Sequence, residues 1–240
     1  MGTGCIDESK VALTVGTTGA MRILTKGPSP DVPPGLWAYR VGEDRTLLGG
    51  SFSEGGNVVQ WAIDNLRLPP VERLDAELQK LPPARHDINV LPFIAGERST
   101  GWSTVANGVL EGVRVSTTPL EILQAMLESV AYRFALVANL LLPGDQSGYQ
   151  LIASGGAIQS SPWWLQTMSD VLGVPVGVSA EQQDTSRGTA ILALHALGIW
   201  DALDTFPAKI AETYQPRPDH VNAYTKARER QSALYHRLLG

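Results

Sequence analysis

The stretch LIASGGAIQSSPWWLQTMSDVLGVPV, residues 151–176, constrains the fold more than any other part of the chain. Its apolar start reads as a buried strand, Ser161 and Pro162 as the N-cap and first position of a helix, and VLGVPV as the lead into another strand. Strand, helix and strand in this order predict an α/β fold. Gly155 and Gly156 stand between the first strand and the helix. A connecting turn with positive φ needs one glycine. A second flat, side-chain-free residue points to something lying against the main chain. Ligands of open α/β folds settle at the carboxyl ends of strands, near helix N-termini. The competing reading is that both glycines only permit tight packing.

The rest of the chain supports one α/β domain over residues 1–240, with a β-rich front and an α/β back. VALTVGT, AMRILTK, GLWAYRV and EDRTLLGGSFS read as strands, with GTTG, PSPDVPPG and Gly42-Glu43-Asp44 as turns. Helices follow at EGGNVVQWAIDNL, with Val58, Val59, Trp61, Ala62 and Leu66 on one face, and at VERLDAELQKL, stopped by Pro82 and Pro83. DINVLPFIAGERSTGW reads as a short buried strand and a loop. The clearest helix spans Pro119 to about Leu142, where Thr118 and Glu121 form a capping box and Pro119 takes the first position. Its wide apolar stripe, Leu120, Leu123, Leu127, Val130, Phe134 and Val137, predicts burial on more than one side. Beyond Gly148 the pattern predicts strand 149–154, helix 162–172, strand 175–180 and helix 185–197. DTFPAKIAETY and DHVNAYTKARERQSALYHRLL read as outer helices.

Composition narrows the function. A net charge of −5 without a lysine- or arginine-rich cluster argues against nucleic acid as the main partner. The single cysteine, Cys5, excludes an intrachain disulfide framework and fits a reducing cytoplasm, where a lone buried thiol is expected. The start MGTGCIDESK lacks the apolar region of a signal peptide, and no run reaches the length of a membrane span. These readings predict a soluble, cytoplasmic protein without a membrane partner.

Among motifs, Gly16-Thr17-Thr18-Gly19 lies between two strands, and its amides and hydroxyls can face an anion. A plain hairpin turn is the alternative. There is no GxGxxG and no acidic residue ending a second strand, which counts against a Rossmann-type oxidoreductase, and no GxxxxGK[ST] phosphate loop. The four histidines, His86, His195, His220 and His236, lack metal-ligand spacing; His195, on an apolar helix, reads as a packing residue. Gly188 sits in the first turn of another apolar helix, at a cost of roughly 1 kcal/mol relative to alanine, so close helix packing is expected there, or equally the approach of a neighbouring helix or a ligand. Glu97 and Arg98 read as a loop ion pair or an interface contact, against a plain solvated loop.

Taken in order, LTVGTTGAM, FSEGGNVVQWAIDNL, LPFIAGERSTGW, LEILQAMLESVAYRF, ASGGAIQSSPWWLQTMSDVLGVPV and SRGTAILAL resemble the carboxyl-terminal domain of the FGGY carbohydrate kinases, nearest to the gluconate-kinase-like members. The resemblance implies an actin-like, ribonuclease-H-like ATPase fold, a mixed sheet flanked by helices, in which two domains close over a cleft. It implies ATP with Mg²⁺ as cofactors and a sugar or sugar acid of the gluconate, xylulose, ribulose or glycerol type as acceptor. It places Gly16, Thr17 and Thr18 at the phosphates, Gly155, Gly156 and Ala157 against the adenosine, and Ser160 near the base. Ala20 would face the sugar side. The family's catalytic aspartate sits in a Gly-Asp motif just upstream of the segment that here reads GTGC; Asp7, in IDES, does not match it. No catalytic or metal-binding residue is therefore assigned in this chain, most sugar contacts belong to an amino-terminal domain, and the chain alone is expected to be inactive. Self-association into a homo-oligomer is left open. The alternative is a stand-alone, non-catalytic nucleotide-binding or protein-interaction domain.

Overall fold

The computed structural model describes residues 1–27, 31–42, 44–144, 148–200 and 206–240. Glu43 of the Gly42-Glu43-Asp44 turn and part of the PSPDVPPG turn lie outside the described residues. A seven-stranded mixed sheet has the order β3-β4-β2-β1-β7-β8-β9. Its strands are β1 (Lys10–Val15), β2 (Gly19–Lys26), β3 (Trp37–Val41), β4 (Arg45–Phe52), β7 (Gln150–Ser154), β8 (Val176–Ser179) and β9 (Ile210–Tyr214). The front hairpins β1–β2 and β3–β4, and the β2–β4 pair, are antiparallel, whereas β1–β7 and β7–β8 are parallel. The expected α/β back is present, its strands β1, β7 and β8 parallel, joined to a meandering front. A separate pair, β5 (Asn89–Leu91) and β6 (Val109–Glu111), lies outside this sheet. The sequence showed no signal for β6.

One sheet face carries the main core. Val11, Leu13, Val15, Met21 and Ile23 meet α3 (Pro119–Leu141), behind which lie α5 (Pro162–Leu172) and α7 (Pro218–Leu239). Glycine lets α3 come this close. A Cβ on Gly50 would sit 2.7 Å from a Val137 methyl, and one on Gly19 would sit 2.9 Å from the Phe134 ring. The capping box at Thr118 and Glu121 forms as read from sequence. Burial on more than one side also holds, because Gln124, Glu128, Ser129 and Arg133 of α3 are buried along with its apolar stripe. The polar members are paired. Glu128 accepts from Gln124 Nε2 (2.9 Å), Tyr132 Oη (3.1 Å), Tyr224 Oη (3.2 Å) and the Ala84 amide (3.2 Å), and lies 3.0 Å from His86 Nε2.

The other sheet face is thinner. Cys5, Ala12 and Ile152 form a small cluster there, and α6 (Asp184–Ala196) lies against the amino-terminal segment. Gly188 does mark a close approach, but to the backbone of Gly2 and not to a helix: its Cβ would stand 2.9 Å from the Gly2 nitrogen. His195 is exposed and its Nδ1 lies 2.9 Å from the Trp200 carbonyl, so it closes the end of α6 and does not pack. Of the two segments read as outer helices, the second forms α7, and the first does not. Its described part contains β9, an edge strand antiparallel to β8. Alanine, lysine and glutamate there favour a helix; the open edge of β8 and the β-favouring Ile210, Thr213 and Tyr214 override that preference.

Gly50→Ala should destabilise the protein by about 1–3 kcal/mol, since a methyl group has no room beside Val137 in a packed core. Val137→Ala in that background should recover part of the loss. Urea unfolding of the two variants checks both; an unchanged midpoint for Gly50→Ala would contradict this packing.

Candidate functional site

Two turns and one helix end meet at the carboxyl ends of β1 and β7. The first turn, Gly16-Thr17-Thr18, closes the β1–β2 hairpin, and the Gly16 amide donates to the Thr18 carbonyl (3.0 Å). The turn's carbonyls face α1 (Gly56–Asn65): the Gly56 amide donates to Gly16 O (2.7 Å) and the Asn57 amide to Thr17 O (3.1 Å). Asn57 also fixes the helix start, accepting from the Gly55 amide (2.8 Å) and donating to Ser53 O (2.8 Å). This contact needs glycine. A Cβ on Gly55 would lie 2.7 Å from the Thr18 carbonyl carbon, and one on Gly56 would lie 2.8 Å from the Ala157 methyl. With the carbonyls engaged, the amides of the exposed Thr17 and Thr18 find no partner among the described residues and stay available to an anion.

The second turn separates the two glycines of the 151–176 stretch. Gly155 has φ +99°, and a Cβ there would stand 2.4 Å from the Val15 carbonyl oxygen. Its role is to let the chain turn tightly against β1. Gly156 is different: it opens the four-residue helix α4 (Gly156–Gln159), its φ is ordinary, and nothing lies within 4 Å of where its Cβ would be. Gly16 has the same open space. Both glycines line one cavity of about 550 Å³ together with Thr17, Gly56, Asn57, Gln60 and Ala157. That volume suits a nucleotide-sized ligand.

The structure thus brings Gly16, Thr17, Gly156 and Ala157 together and turns Gly155 into the sheet. Thr18 sits beside the cavity at the hairpin tip. Ser160, one turn beyond Gly156, is exposed, with its hydroxyl on the Ala157 carbonyl (3.0 Å). Sequence reasoning missed Gly56, Asn57 and Gln60. The signal available was EGGN, a glycine pair at a helix start where one glycine would suffice.

Beneath the first turn lies a charged cluster that the sequence misread. Glu97 pairs with Arg133 of α3 and not with its neighbour Arg98; it is buried, and it also accepts from Tyr235 Oη (3.0 Å). Arg98 instead stacks on Trp102 at 5.7 Å from the ring centroid. The loop contact was there, with a partner too distant in sequence to read. Glu54, at the end of β4, is 2% exposed, and its Oε1 has no hydrogen-bond partner among the described residues. Burial pushes its carboxyl up to about 7, with repulsion from Glu97 adding and Arg133 opposing.

Solved structures resemble this arrangement along the whole chain. A xylulose kinase from Lactobacillus acidophilus matches with a TM-score of 0.88 and 26% identity, over 99% of this chain and 49% of that one. A gluconate kinase from the same organism matches with a TM-score of 0.87 and 26% identity over the same shares. The fold is therefore the actin-like ATPase fold. Residues 11–197 match the model of the C-terminal domain of the FGGY family of carbohydrate kinases. The chain belongs to this family. Among its relatives, a gluconokinase of Bacillus subtilis is 27% identical over 91% of this chain and 45% of its own length. A glycerol kinase of Methylobacterium nodulans is 31% identical over 86% and 42%. This FGGY domain spans about half the length of the curated relatives it matches. Among its described residues, no helix is long and apolar enough to cross a membrane.

Glu54 gives a pH prediction. The folded state holds its proton up to about pH 7, against 4.5 ordinarily. Between those values the folded protein binds more protons than the unfolded chain, so stability falls as pH rises. At 1.36 kcal/mol per unit the full loss is about 3 kcal/mol. Glu54→Gln should flatten this slope and be the more stable protein at pH 8. Parallel slopes for the two proteins, measured by denaturant unfolding from pH 4.5 to 8, would contradict it.

Proposed function

We propose that residues 1–240 form the nucleotide-binding domain of an ATP-dependent carbohydrate kinase working with an amino-terminal half of the kind its relatives' length implies. The single observation that carries the reading is the open space at Gly16 and Gly156. No packing contact demands glycine at either position, yet both face the same cavity from turns that are otherwise fixed. A flat group against Gly156-Ala157 and an anion at Gly16-Thr17-Thr18 satisfy both features at once. ATP has these two ends.

In this reading the Thr17 and Thr18 amides and hydroxyls hold the phosphate oxygens. Preorganised donors of this kind stabilise charge on a phosphoryl group in transit. Gly156 and Ala157 carry the adenosine, Gln60 and Asn57 supply polar groups along the wall, and Ser160 stands at the rim. Among the described residues no group of three acidic, histidine or cysteine side chains is placed to hold a metal ion. We therefore assign Mg²⁺ to the phosphates of the bound nucleotide and route no protein step through it. The acceptor hydroxyl would be activated by a carboxylate outside this chain. The isolated domain should bind nucleotide, in the cytoplasm where ATP is abundant, without phosphorylating sugar.

Calorimetric titration with ADP and Mg²⁺ tests the proposal. The native chain should bind, Gly156→Leu should abolish binding without changing the unfolding midpoint, and Gly155→Ala should lower the midpoint instead. A Gly156→Leu protein that binds ADP normally would overturn the assignment.

A further inference from the structure

A cavity of about 230 Å³ opens between α3, α7 and the loop at Thr100, and it shares no lining residue with the nucleotide cavity. Helical spacing builds it. Arg228, Ser232 and His236 follow one another at one-turn intervals and so share one face of α7, across from Arg133 and Leu136 of α3. Packing alone does not account for such a lining, because a cavity left empty by packing is apolar.

The phenols around the cavity are already engaged: Tyr235 Oη donates to Glu97 (3.0 Å) and Tyr132 Oη to Glu128 (3.1 Å). What remains is a set of donors without acceptors. Arg228 is half-buried, makes no ion pair with any described residue and gives one N–H to the Val171 carbonyl (3.2 Å), leaving the rest of its fork unused. Arg133 is 2% exposed and pairs through Nη2 with Glu97, while its Nε has no hydrogen-bond partner among the described residues. His236 Nδ1 lies 2.7 Å from the Ser232 carbonyl, to which it can only donate. With that nitrogen committed, the Ser232 hydroxyl, 3.4 Å from it, has no acceptor there. Burial lowers the pKa of both arginines from the ordinary value, with Glu97 opposing at Arg133 and Tyr132 at Arg228. Glu97 answers the charge of Arg133, but no described carboxylate lines the cavity to answer that of Arg228. A cation drawn out of water is costly unless an anion meets it.

We propose that this cavity binds a phosphate group, held by the Arg228 fork and the Ser232 hydroxyl beside the Arg133 guanidinium, with His236 at the exposed end. A phosphate has several acceptor oxygens, which match donors arriving from two helices, whereas a carboxylate's two oxygens would be satisfied by Arg228 alone. The volume lies below that of sites for drug-sized ligands and admits a free phosphate or a small phosphate ester. The two share this chemistry, and the test separates them. The site does not depend on the nucleotide reading.

The test is calorimetry on the 240-residue chain with inorganic phosphate, methyl phosphate and acetate, each with and without saturating ADP and Mg²⁺. At least one phosphate should bind in either state, and acetate should bind about tenfold or more weakly. Arg228→Gln should weaken phosphate about tenfold, with Arg228→Lys between, and Ser232→Leu, which fills the cavity without removing a charge, should abolish binding. All three variants should keep the native circular dichroism spectrum, since Arg228 and Ser232 are only half-buried. Tighter binding of methyl phosphate would assign the site to a phosphorylated metabolite, and tighter or equal binding of the free ion to inorganic phosphate. No phosphate binding, binding unaltered by Arg228→Gln and Ser232→Leu, or binding lost once ADP fills its own cavity would overturn the proposal. Acetate bound as tightly as phosphate would overturn the choice of ligand.

Discussion

The site depends on the first turn of α1 donating its amides to the carbonyls of the β1–β2 turn. A free helix N-terminus normally offers its amides to a ligand. Here Gly56 and Asn57 give theirs to Gly16 and Thr17, and the turn is thereby oriented with its own amides outward. The geometry is only accessible because residues 55 and 56 have no side chains, since a methyl at either would strike the turn or Ala157. One helix end therefore fixes both turns with respect to each other. Replacing either glycine would separate the two halves of the cavity before it touched any ligand.

The long helix α3 supplies the rigidity behind this contact. Its apolar stripe seals the sheet, and its polar side does more than tolerate burial. Glu128 gathers donors from α3 itself, from α7 and from the segment before β5, while Arg133 ties Glu97 and lies over Phe93 and Tyr235 at 5.0 and 5.1 Å. Buried charges persist when they are paired in this way, and removing one partner is far more damaging than never having had the pair. Glu54, close beneath the phosphate-side turn, is left incompletely paired, as is Arg133 at its Nε, and burial lifts the Glu54 carboxyl to about 7.

Much of this was legible in the sequence, and the misses share a cause. Thr118, Pro119 and Glu121 marked the start of α3 because capping is local chemistry, and the glycine and threonine turns were visible because their neighbours alternate cleanly. The FGGY resemblance followed from motif order. What failed needed a distant partner. Ile210–Tyr214 becomes a strand only because β8 offers an edge, Glu97 finds Arg133 across 36 residues, and α4 is too short to show a helical period. The glycine pair at 155 and 156 looked uniform in sequence, and only the space around each residue separates a packing glycine from one that faces a cavity.

The central claim is that two separate turns form one nucleotide cradle. Hydrogen–deuterium exchange of the chain with and without Mg²⁺ and ADP tests it most directly. The account predicts that nucleotide slows exchange at Thr17 and Thr18 and at Gly156 and Ala157 together, over the same concentration range. Protection of one turn without the other, or of neither while nucleotide is bound, would contradict it.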